Sequence, residues 1–172
     1  SGADAGNYQL QNSTATTFAA ITARSVAASF TVAAKTYDGT VAADVVGSAT
    51  GFISGDDVRV VASSALFADQ NVGLSKQVNI SGISLAGSAA SDYVLSATTA
   101  QAQGNISAKS LTPAFVATSK LFDGNTSVQV ADVTRGIAAG DNLLVLYSSA
   151  TFLDSAGGSN KPVLVSGLSL SG

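Results

Sequence analysis

Stretches of four to nine residues in which apolar and polar side chains alternate recur along the chain, separated by clusters of Gly, Asp, Asn and Ser. Successive side chains of a strand point to opposite faces, so a period of two marks a half-buried strand. Val, Ile, Thr and Phe fill these stretches, and such residues suit a pleated surface. The pattern predicts strands over Ser25–Ala34, Thr40–Ala49, Val58–Ser64, Gln77–Leu85, Tyr93–Thr98 and Asn105–Ala108. No window holds a 3.6-residue period for ten residues, and Ala62–Asp69 is the best helical candidate. Strand follows strand with no crossover helix, so the expected fold is all-β, in small antiparallel, Ig-like β-sandwich modules. A β-grasp-like module with one short helix at Ala62–Asp69 is the alternative.

The pattern repeats. Shifted by 85 positions, the sequence aligns with itself from end to end without a gap, and about a third of the pairs are identical. Tyr8 falls on Tyr93, Ile21 on Ile106, Phe30 on Phe115, Lys35 on Lys120 and Phe67 on Phe152. A shared register over the whole length is the mark of a tandem repeat. The phase predicts that residues 1–23 are the C-terminal strands of a preceding repeat. Residues 24–108 are then a complete module, and residues 109–172 a second module without its last strands. Incomplete modules leave open strand edges, which invite strand addition between chains.

One strand changes phase. Val78 and Ile80 share a face by parity, whereas Ile83 and Leu85 have the opposite parity. A bulge or kink at Gly82 would restore all four to one side, and Gly167 sits at the same switch in the second copy. The most recognisable stretch is KTYDGT, Lys35 to Thr40, answered by KLFDGN, Lys120 to Asn125. Here Asp38–Gly39 and Asp123–Gly124 read as turn pairs, and Tyr37 and Phe122 as aromatic core anchors. Lys35 reads as a solubilising charge at a strand end.

These motifs, with ISGDDV, LFADQNVG, VNISGISLAG and SDYVL in order, resemble the YDG/MBG-type repeats of filamentous-haemagglutinin-like bacterial surface adhesins exported by two-partner secretion. The resemblance implies a secreted, extracellular all-β module in the stalk of a cell-surface adhesin or biofilm-matrix fibre, with no catalytic residues.

Composition narrows the chemistry. There is no Cys, His, Met or Trp, and the acidic residues are all Asp. Disulfides, thiolate nucleophiles, the usual Ser-His-Asp triad and ordinary zinc sites therefore have no residues to use. No enzyme activity and no cofactor are expected. A net charge of −3 with scattered Lys and Arg argues against nucleic acid, and no apolar run is long enough to span a membrane. Calcium candidates are Asp56, Asp57, Asp123 and Asn125, against the reading of these residues as turn formers. Asn12, Asn79, Asn105 and Asn125 stand in glycosylation sequons. Tyr147, at the place of Ala62, is a large aromatic without an aromatic counterpart, and is the candidate contact for polysaccharide or host glycan. The leading expectation for function is a structural stalk whose partners are neighbouring repeats or copies of the same chain. A carbohydrate-binding module is the alternative.

Overall fold

The computed structural model describes residues 3–172, which are all-β and arranged in several small sheets, with two single-turn 3₁₀ segments at Ala5–Asn7 and Ala90–Asp92. Residues 24–108 hold nine strands: β1 (Arg24–Val32), β2 (Lys35–Thr36), β3 (Val45–Thr50), β4 (Arg59–Val61), β5 (Ser64–Phe67), β6 (Gly73–Ser81), β7 (Ser84–Ala86), β8 (Tyr93–Leu95) and β9 (Thr99–Ser107). One sheet runs in the order β3-β1-β8 and another in the order β2-β9-β6-β5, with β4 and β7 as a separate pair. Most pairings are antiparallel, but β8 lies parallel to β1 and β2 parallel to β9. The purely antiparallel expectation is corrected there: both parallel partners are distant in sequence, brought together by the return of the chain. Ala62–Asp69 carries β5 and no helix, which removes the feature on which the β-grasp alternative rested.

The core gathers the inward positions of these strands. Val60, Phe67, Val78, Ile80, Ile83 and Ile106 are buried in one cluster, with Phe30, Val32, Val45 and Leu85 packed against it. Val78 and Ile80 on β6 and Ile106 on β9 are the largest side chains fully withdrawn from water. Strict alternation puts them there, since the intervening Asn79, Gln101 and Asn105 face outward.

The phase switch at Gly82 is a change of sheet rather than a bulge. The β5·β6 ladder ends at Ser64↔Ser81, and the β4·β7 ladder begins at Val61↔Ser84. Two residues are skipped on each strand, whereas a bulge adds a residue to one strand only. Gly82 turns the chain with φ +63°, and Val78, Ile80, Ile83 and Leu85 all reach the core. A true bulge lies at the other end of β6, where three steps from Gly73 to Lys76 face two on β9 and Ser75 takes φ +50°.

Residues 109–172 repeat the body: β10 (Phe115–Ala117), β11 (Val130–Asp132), β12 (Leu144–Leu146), β13 (Ser149–Phe152), β14 (Val163–Ser166) and β15 (Ser169–Ser171). Their registers copy those of the first module residue for residue. Phe115↔Asp132 repeats Phe30↔Gly47, Leu144↔Ser171 repeats Arg59↔Ala86, and Ser149↔Ser166 repeats Ser64↔Ser81. Gly167, with φ +67°, makes the same sheet change. β10 is shorter than β1 because Pro113 stands where Ala28 pairs with Ala49, and proline brings no N–H.

Within residues 109–172, β14 is paired on one edge only. Val163 and Val165 are accordingly half-buried where Val78 and Ile80 are closed off. The segment 3–23 forms no strand, and Tyr8, Leu10, Phe18 and Ile21 stand in solvent. The chain exposes 12099 Å², against about 7700 Å² for a compact monomer of its mass.

Candidate functional site

The repeated YDG stretch builds a tight turn around a lysine. Asp38 Oδ1 accepts the Thr40 N–H at 2.8 Å and the Thr40 hydroxyl at 2.9 Å, while Gly39 takes φ +79°. Lys35 Nζ lies 2.9 Å from Asp38 and donates to the carbonyls of Thr40 and Ala42. In the second copy Lys120 pairs with Asp123 at 2.8 Å and donates to Asn125 O and Oδ1. The hydrogen bond from Lys35 is the main cause that draws the Asp38 carboxyl down to about 2. The Lys35 side chain is only 14% exposed. It is an internal strut, not the solubilising charge expected from the sequence, because its head satisfies carbonyls that the turn leaves open.

A second strut recurs with the first. Lys76 pairs with Asp69 at 2.6 Å, and Lys161 pairs with Asp154. Sequence reasoning passed over these lysines. The available signal was that Lys35, Asp38, Asp69 and Lys76 all keep their identity in the second copy.

The two modules touch at named turns. Tyr37 Oη donates to Asp141 Oδ1 at 2.9 Å, and a side chain at Gly39 would come within 3.3 Å of Ala138 Cβ. Tyr37 is half-buried and packs on the first core, so it anchors and bridges at once. Its counterpart Phe122 is 75% exposed. The expectation of a core anchor is corrected at Phe122, whose ring stands in solvent.

Asp141 corresponds to Asp56, which also receives a tyrosine hydroxyl. Tyr93 Oη donates to Asp56 Oδ2 at 2.5 Å and accepts the Ile53 N–H at 2.8 Å. Both copies therefore use the Gly-Asp turn as a seat for a tyrosine, one from β8 of the same module and one from the preceding YDG turn.

The calcium candidates are spoken for within the chain. Asp57 holds the N–H and hydroxyl of Ser88, Asp123 holds Lys120, and Asn125 Oδ1 accepts from Lys120 and from the Ser127 N–H. Among the described residues, no three acidic side chains gather as a metal site would require. Tyr147 packs edge-on against Phe115, with ring centroids 5.7 Å apart, and is 37% exposed. Part of its surface is thus committed to packing.

The concave surface lies along the second module. One groove runs between the Lys120–Asn125 turn and the Asp154–Lys161 loop. A second is lined by Phe115, Ala117, Val130, Val163, Val165 and Leu168, and a third by Leu111, Pro113, Val145 and Leu170. The counterparts of the second set are Phe30, Val32, Val45, Val78, Ile80 and Ile83, the closed core of the first module. The grooves follow the path taken by β8 and β9 in residues 24–108.

The YDG domain matches residues 22–100 and again 107–172, covering most of the chain in two copies. No curated protein and no solved structure matches it. Two consecutive copies of one domain, with duplicated strand registers, define what this chain is made of: it belongs to the YDG domain family.

Proposed function

We propose that this chain is a stretch of the stalk of a secreted bacterial surface adhesin or biofilm-matrix fibre, of the filamentous-haemagglutinin-like, two-partner-secreted kind. Each module acts as a small Ig-like sandwich that adds length. The observation that carries the reading is the contact between successive modules, Tyr37 to Asp141, made by turns that recur in each copy. A quasi-one-dimensional array is stabilised by each unit and by nearest-neighbour contacts of this kind. Lysine struts that tie loops to strands suit a part whose task is to hold shape in water. The glycan-binding alternative rests on Tyr147, whose packing on Phe115 gives it no further support.

Small-angle scattering on chains of two, four and six modules tests the proposal. A stalk adds a constant increment of length per module. A compact 172-residue globule has a radius of gyration of about 16 Å. A radius near that value for two modules, growing only slowly with module number, would sink the stalk reading.

A further inference from the structure

We propose that residues 24–108 bear tension along the chain, through two parallel clamps that join the first strands of the module to its last. The inference deepens the stalk reading and rests on it, since a stalk is pulled at both ends. The chain enters this module through β1 and leaves it through β9. In one sheet β1 lies beside β8, with Arg24, Ser25 and Val26 opposite Tyr93, Val94 and Leu95, and the Ser96 N–H donates to Val26 O at 2.9 Å. In another β2 lies beside β9, with Lys35 and Thr36 opposite Ile106 and Ser107, and the Tyr37 N–H donates to Ser107 O at 2.8 Å. Among the described residues these are the only parallel ladders, and each joins an early strand to a late one.

Strand direction decides what a pull does to a ladder. Tension drags β1 and β2 toward the entry of the module, and β8 and β9 toward its exit. Parallel strands dragged in opposite senses slide along their shared axis, so every rung resists at once. An antiparallel pair pulled at its open end parts one rung at a time, because only the outermost rung is loaded. Forced unfolding is governed by the unfolding rate, so rungs that must break together raise the force the module withstands.

Both clamps are pinned against sliding. Lys35 Nζ reaches from β2 to Asp38 and to the carbonyls of Thr40 and Ala42, so β2 cannot slip without breaking the YDG turn. Ser107 Oγ donates to Lys35 O at 3.3 Å across the same clamp, and Ile106 seats β9 in the core. On β8 the buried Tyr93 donates to Asp56 and accepts the Ile53 N–H. The YDG turn thereby gains a task, which is to fasten the short strand that holds the exit of the chain.

The chain has no cysteine, so two introduced ones can set the direction of pull in single-molecule stretching. Handles on the ends of the full chain load both clamps. Handles on the double variant Ala27→Cys, Thr50→Cys instead peel β3 from β1, since these exposed residues oppose each other at the open end of that antiparallel ladder. The end-to-end pull should release residues 24–108 in one step of about 250 Å, their extended length less the folded span. The force of that step should be severalfold the force that parts Ala27 from Thr50. Ser107→Pro singles out one clamp. The Ser107 carbonyl faces Tyr37, so its N–H faces β2 as well, and Ser107 stands beyond Gly73↔Ile106, the last rung to β6. Proline there removes a donor from the β2·β9 clamp alone. It should lower the end-to-end force and leave the peeling force unchanged, while the comparison of directions needs no change in either clamp. Equal forces in the two directions, or an end-to-end force that Ser107→Pro leaves as it was, would overturn the proposal. A weak end-to-end response in chains whose scattering length still grows by a constant increment per module overturns the clamps and leaves the stalk. A strong directional response in a compact particle supports the clamps and removes the stalk.

Discussion

The Tyr37 hydroxyl donates to Asp141 Oδ1 at 2.9 Å, joining a turn of the first module to a turn of the second across 104 positions of sequence. The bond sits at the surface, so it positions the modules more than it stabilises either one. Tyr37→Phe, the residue type that the second copy already carries, keeps the ring on the first core and removes the bridge. The melting temperature should hardly move. The spread of inter-module orientations, read from residual dipolar couplings, should widen; an unchanged spread would show that the bridge does not set the angle.

The same bond predicts an alkaline transition. The hydrogen bond to Asp141 raises the Tyr37 hydroxyl above its ordinary 10.0. A group whose pKa is raised in the fold stabilises it fully below the unfolded value and loses that contribution as pH rises through the folded one. Inter-module order should therefore hold to about pH 10 and fall above it in the parent chain. Tyr37→Phe should show no such step when the two chains are titrated side by side.

The lysine struts predict the acid limb. Asp38, Asp69, Asp123 and Asp154 are all held below their ordinary 3.8, chiefly by hydrogen bonds from Lys35, Lys76, Lys120 and Lys161. A depressed carboxylate contributes fully above its unfolded value, and the contribution is lost as pH falls through the folded one, about 2 for Asp38. Thermal stability should be flat down to about pH 5 and then decline toward about pH 2. Asp38→Asn should flatten part of that decline; a stability that stays level throughout would contradict the strut assignment.

A tight approach inside the first module gives a packing prediction. A methyl at Gly47 would lie 2.9 Å from both Phe30 Cε1 and Val60 Cγ1. Gly47→Ala should therefore destabilise residues 24–108 by about 1–3 kcal/mol, the usual cost of overpacking. In the second copy Asp132 holds this place, and its carboxylate accepts from the Thr134 and Val145 N–H groups, so Asp132→Ala should lose hydrogen bonds rather than suffer crowding. Separate unfolding transitions in calorimetry, assigned by these two variants, check both statements.

How far the sequence revealed this molecule depended on the range of each interaction. Alternation placed β1 and the second half of β6, because the period of two is local to the strand, but it caught only residues 105–107 of β9. Parity alone located the break at Gly82, although it could not separate a bulge from a change of sheet, which depends on which neighbour the next ladder finds. The parallel pairings of β8 on β1 and β2 on β9 left no local trace. The bulge at Ser75 hid for the same reason: its signal is a mismatch with a strand about 30 residues away. The internal repeat proved the more informative reading. It held the signal for the lysine struts, unused, in residues that both copies retain, and it matches the lining of the groove along residues 109–172 to the closed core of the first module.

That groove makes the two copies unequal in a way that mutation can weigh. Ile80 is 1% exposed between β5 and β9, so Ile80→Ala removes buried methylenes and leaves a cavity that its neighbours cannot close. The cost should fall in the usual range of about 2–5 kcal/mol. Val165 is its counterpart but is half-buried beside an open edge, and truncating it removes less apolar surface and creates no closed void. Val165→Ala should cost under about 1.5 kcal/mol in dilute solution. Denaturant melts of the parent and both variants would read that difference directly, as shifts in the midpoint at unchanged slope.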